Sequence, residues 1–155
     1  MGILFLLVLL APCSTPAGTA KVPQVDHPIV KPHVYSKHGR CVNCGMKLNM
    51  WARTRHSFTL TDGEYHVCSI HCVADLTLQK QQPPKDVQVA LYLEPETMIK
   101  ADQAWYLVNS SATGTMSAVS KIAFASEEAA RAFAANYGGT IMSFTEALNK
   151  ANEEL

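Results

Sequence analysis

Four cysteines, two methionines and two histidines carry most of the chemistry this chain offers. Cys41 and Cys44 form a C-x-x-C pair, and Cys68 and Cys72 form a C-x-x-x-C pair further along. Ser69 is placed to cap a helix, which would set Cys68 just before that helix and Cys72 in its first turn, with both sulfurs at one helix end. The positive end of a helix favours thiolate, the form that binds metal. A C-x-x-C loop followed by a hairpin and two cysteines at a helix start is a zinc-knuckle arrangement, so four thiols alone would indicate zinc. Met46 directly after Cys44-Gly45, Met116 in a Gly/Ser/Thr loop, and His66 and His71 beside the second pair favour a softer ion. Thiolate and thioether together select Cu(I), which accepts two or three ligands. Each residue also has a plainer use. Met46 and Met116 could fill gaps in a core, His66 alternates with apolar neighbours as a surface strand residue does, and the cysteines could hold structural zinc or form disulfides that staple a small domain.

These residues need a frame to bring them together. His56 to Leu60 and Tyr65 to Cys68 read as strands around Thr61-Asp62-Gly63-Glu64, whose Asp-Gly pair signals a hairpin. The helix capped by Ser69 runs towards Gln79 and stops before Pro83-Pro84, and Val87 to Leu93 reads as a strand closed by Glu94-Pro95. The order then recurs. Ala104 to Val108 and Lys121 to Ala125 are strands, with Met116 in the loop between them. Ser126 caps a helix with Glu127 and Glu128 at its positive end, Ala129, Phe133 and Tyr137 on one face, and Gly138-Gly139 at its end. Thr140 to Met142 is a short strand, and Ser143 with Glu146 forms a capping box for a last helix. The expected fold is α+β: two small ββαβ units, about 38–98 and 99–155, with a C-terminal helix. The repeat lies in element order and not in the letters.

Before this folded part, Ile3 to Ala11 is an apolar run too short to span a bilayer and suited to a signal peptide. Leu9-Leu10-Ala11-Pro12-Cys13 resembles a bacterial lipobox, which makes Cys13 the candidate lipidated residue and 1–13 the leader. Residues 14–37 hold Pro16, Pro23, Pro28 and Pro32 among small polar residues, a composition expected to form a disordered tether. His27 and His33 fall in it, with His38 just beyond, and read as solvated loop histidines. The expected location is therefore the exported, periplasmic side, on a membrane through the lipid.

The 155 residues, 48% of them hydrophobic, suffice for a real core. Lys+Arg and Asp+Glu both number 13, and residues 1–20 hold no charged side chain, so the mature part is formally neutral and offers no basic surface for nucleic acid. No Ser/His/Asp arrangement, phosphate loop or carboxylate pair indicates an enzyme. A thiol-disulfide oxidoreductase would place its C-x-x-C at the start of a helix in a βαβ pattern, a context Cys41 and Cys44 lack. Nothing in the sequence sets an oligomeric state.

Together the segments Cys41-Val42-Asn43-Cys44-Gly45-Met46, Asp62-Gly63 leading to Val67-Cys68-Ser69, Ala104 to Val108 with Gly114-Thr115-Met116, and Ile122 to Ala125 with Glu128-Ala129-Ala130 and Tyr137-Gly138-Gly139 resemble the NosL family. The resemblance spans about Arg40 to Leu148. It implies two similar ββαβ units and a membrane-anchored protein that supplies Cu(I) to nitrous-oxide reductase, or more broadly to a copper enzyme or a copper-transport or assembly complex. It implies ligation by Cys44, Met46, Cys68 and Met116, with His71 as the nitrogen candidate. Cys72 departs from the family pattern and, with Cys41, opens the way to a site of four thiolates for copper or zinc.

Overall fold

The computed structural model describes residues 38–155. The leader, Cys13 and the tether expected over 14–37 lie outside the described residues. Two antiparallel sheets and three helices follow in the order β1 (His56–Leu60), β2 (Gly63–Val67), α1 (Ile70–Lys80), β3 (Lys85–Ala90), β4 (Met98–Lys100), β5 (Trp105–Val108), β6 (Lys121–Phe124), α2 (Glu127–Tyr137), β7 (Thr140–Met142) and α3 (Phe144–Asn152). The strand orders are β2-β1-β3-β4 and β6-β5-β7. In each sheet the first strand is central, its hairpin partner lies on one side, and the strand following the helix lies on the other. The element order that recurs in sequence is therefore also a recurring topology.

The first sheet departs from the expected boundaries in three places. Leu60 pairs with Gly63, so the hairpin loop is Thr61-Asp62 and Gly63 opens β2, at φ 145, a conformation glycine adopts without strain. The third strand begins at Lys85, two residues before the expected start, and Asp86, at φ 49, lies where its pairing with β1 shifts register. It ends at Ala90 because the chain folds back, with Leu91 N–H donating to the Thr97 carbonyl at 3.0 Å. That turn delivers β4, a strand the sequence reading lacks: three residues, Met-Ile-Lys, show no alternation long enough to register.

Period-two alternation explains how the two units meet. Leu107, Ile122 and Phe124 join Tyr92 and Ala130 in one buried cluster, against which Phe133 and Tyr137 of α2 pack. Tyr106, Val108 and Ala123 join Ile70, Ala74 and Val89 from the first unit with Ala147 and Ala151 of α3. The second sheet is thus apolar on both faces, which is why Tyr106 to Val108 reads as an unbroken apolar run. Alanines at 74, 147 and 151 are all fully buried and suit close packing where α1 meets α3. A polar link crosses the same interface: His56 of β1 has Nδ1 2.9 Å from the Thr54 carbonyl and Nε2 3.0 Å from the Tyr106 hydroxyl. A neutral imidazole satisfies both bonds, donating to the carbonyl and accepting from the phenol. Burial holds the His56 pKa down at about 4.

Candidate metal centre

The second cysteine pair is positioned by β2 and α1. Ser69 is the N-cap of α1, and its side chain accepts from the Cys72 backbone N–H. This leaves Cys68 at the end of β2 and Cys72 in the first helical turn, with no acidic residue in that turn. The first pair sits in a tight turn and not on a helix. Cys41 N–H donates to the Met46 carbonyl at 2.8 Å, Gly45 N–H donates to the Cys41 carbonyl at 2.9 Å, and an isolated bridge joins Arg40 to Lys47. Gly45 takes φ 78, where a side chain would be strained. Arg40 Nη1 donates to the Gly45 carbonyl at 2.9 Å and closes the turn from outside.

Two contacts tie this knuckle to β2 and α1. Val42 N–H donates to the His66 carbonyl at 3.1 Å, and Asn43 Nδ2 donates to Asp75 Oδ2 at 2.8 Å. Asn43 and Asp75 tie the knuckle down, a role that the sequence reading assigns to neither. The amide of Asn43, and after it that of Gln79, hold the Asp75 carboxyl below its ordinary range.

The outcome is that Cys41, Cys44, Cys68 and Cys72 bring their sulfurs within 4.8 Å of one another. Cys44 Sγ lies 3.4 Å from Cys68 Sγ, which lies 3.7 Å from Cys72 Sγ. All four are free thiols; Cys41, Cys68 and Cys72 are buried and Cys44 is half-buried. Such crowded thiols cannot all ionise in a low-dielectric site. The Cys41 thiol is pushed down, first by the Cys68 thiol and then by that of Cys72 hydrogen-bonding to its sulfur. Cys68 is pushed up, first by its bond to Cys41 and then by Cys72 and burial. Cys72 is pushed up to about 12, chiefly by its bond to Cys41. The close approach of the four thiols therefore acts on their protonation alongside the helix end, and the cluster accommodates one thiolate more readily than several. A cation bound here would replace the remaining protons and remove that conflict.

The other candidates stand differently. Met46 is partly buried and packs against the apolar cluster that includes Cys41, Cys68 and Cys72. His71, in the first turn of α1, lies outside the four-sulfur group, and its buried Nδ1 has no hydrogen-bond partner. His66 stacks on His38 at 3.6 Å between ring centroids and has Nε2 3.0 Å from Glu64, with its own side chain largely buried and that of Glu64 exposed. Met116 is 39% exposed, in the loop between β5 and β6.

Residues 32–151 match the family model for NosL. The chain belongs to the NosL family. Its fold is similar to that of the crystal structure of the copper chaperone NosL from Shewanella denitrificans, with a TM-score of 0.59 at 24% sequence identity, covering 77% of this chain and 96% of that one. No curated protein matches the chain. The fold expected from the resemblance is the fold observed. Among the described residues no helix is long and apolar enough to cross a membrane.

Proposed function

We propose that this NosL-family chain is a copper carrier: it takes up Cu(I) at the cysteine centre and passes it to a copper enzyme or its assembly machinery, with nitrous-oxide reductase as the recipient the family resemblance implies. The observation that carries the reading is the convergence of four sulfurs from two separated pairs, with thioether-bearing Met46 against the same cluster. Cu(I) prefers such soft donors and needs only two or three of them, so a partner's sulfur can enter as one of this chain's leaves. Cys44 suits the exchanging position because it is the least buried of the four. Membership in the family of a copper chaperone fits a carrier and assigns the chain no catalytic step. The leader and Cys13 complete the proposal, with the carrier exported to the periplasmic side and held on the membrane by lipid.

A second reading is structural zinc. Four sulfurs around Zn(II) at about 2.3 Å would lie about 3.8 Å apart, and spacings of 3.4 and 3.7 Å are close to that. Anaerobic titration against a colorimetric Cu(I) chelator, before and after zinc removal, separates the two. A carrier stays folded without zinc and takes one Cu(I) reversibly; a zinc-stapled domain unfolds on chelation and recovers with zinc alone.

A further inference from the structure

Met116 is held in a way its neighbours explain. Its backbone takes φ 64, the left-handed region that a non-glycine residue enters at a cost. The loop over 109–120 is closed at its neck by Asn109 N–H donating to the Ser120 carbonyl at 2.9 Å and by Ser120 Oγ donating to the Ser110 carbonyl at 2.7 Å. Inside it, Gly114 lies so near Ser120 that a Cβ would come 2.9 Å from the Ser120 Cα.

On one side of Met116, Thr115 is 5% exposed. The Thr54 hydroxyl bonds both the Thr115 hydroxyl, at 2.6 Å, and the Cys68 carbonyl oxygen, at 2.8 Å. On the other side, the Ser117 hydroxyl donates to the Val119 carbonyl at 2.6 Å, and Lys121 Nζ donates to that same carbonyl at 3.1 Å while pairing with Glu154. The Lys121 side chain is 1% exposed. An exposed thioether-bearing residue in strained backbone thus stands between two buried anchors, one of which ends on the backbone of a metal-centre cysteine.

We infer that Thr115, through the Thr54 hydroxyl, is a positioning residue for Met116, the loop sulfur ligand that the family resemblance implies, and so governs how readily that thioether engages and leaves the cargo ion. The inference rests on the Cu(I) reading above. Loss of the Thr115 hydroxyl leaves the Thr54 proton to the Cys68 carbonyl, so the cysteine geometry survives while Met116 is released.

The test is a double-mutant cycle in the full chain, measuring Cu(I) affinity by chelator competition and Cu(I) release by stopped flow. Met116→Ala and Thr115→Val should each weaken Cu(I) binding and speed release by about tenfold. Thr115→Ser should restore the wild-type values, and Thr115→Val placed on Met116→Ala should have no further effect. Thiolate-to-cadmium absorption, which reads the four cysteines alone, should be unchanged in every variant. Wild-type affinity in Thr115→Val, full additivity in the double variant, or loss of the cadmium signal would each overturn the positioning role. Should Thr115→Val fail to fold, Thr115→Ala is read by the same criteria. A wild-type chain that binds cadmium and zinc but not Cu(I) would instead overturn the carrier reading on which the inference rests.

Discussion

The two halves share a strand order but use the junction between hairpin and helix in opposite ways. In the first, Ser69 caps α1 and receives the N–H of Cys72; in the second, Ser126 caps α2 and receives the N–H of Ala129. Cys72 and Ala129 are thus equivalent, as are Cys68 and Ala125, each placed directly before its cap. The helix ends differ as well. Glu127 and Glu128 occupy the first turn of α2, where they complement the dipole, whereas the first turn of α1 has no acid. One copy of the motif therefore complements its helix dipole with carboxylates, and the other places cysteine sulfurs at that end instead. A metal centre needs little new architecture here: four cysteines, an absent pair of glutamates and a knuckle tied across by Asn43.

That comparison is open to attack from its strongest point downwards. Cys68→Ser removes the sulfur that touches both Cys44 and Cys72, and Cu(I) affinity should fall by more than about a hundredfold; Ala125→Ser at the equivalent place should leave chelator competition unchanged.

The interface between the halves carries the next effect. His56 has its folded pKa lowered to about 4, so the unfolded chain binds the extra proton between about pH 6.5 and 4 and stability declines as pH falls through that window. Between pH 7 and pH 5, above the usual carboxylate range, the loss should be about 2 kcal/mol. Urea midpoints of the metal-free chain would read it, and His56→Gln should flatten the slope.

Smaller effects follow at the supports. Asn43→Ala frees the knuckle from Asp75 and should weaken Cu(I) binding about tenfold, as removal of a ligand's positioning partner does. Ser69→Ala and Ser126→Ala should each cost about 1 kcal/mol of stability in thermal unfolding, but the first alone should alter metal binding, because its cap holds Cys72.

Much of this frame is legible from local chemistry. Ser69, Ser126 and the Ser143 with Glu146 box mark helix starts because capping involves residues three apart. Asp62-Gly63 marks the hairpin for the same reason. The sulfur types and spacings mark candidate ligands before any fold is known, and the four cysteines among them are the ones the fold brings together. The missing parts depend on residues distant in sequence. His56 with Tyr106, Asn43 with Asp75 and Thr54 with Thr115 are polar pairs 50, 32 and 61 positions apart, and no local pattern distinguishes them from ordinary strand or loop residues. The surroundings of the cysteines belong to the same class: the helix end is visible in sequence, but the mutual contact of four thiols exists only once the knuckle has docked.

X-ray absorption at the copper edge of the Cu(I)-loaded chain tests the central claim most directly. The account predicts one copper per chain in a first shell dominated by sulfur, two or three atoms of it, and loss of that shell in Cys68→Ser. A first shell of nitrogen and oxygen, or a chain that takes up zinc and leaves copper in solution, would contradict it.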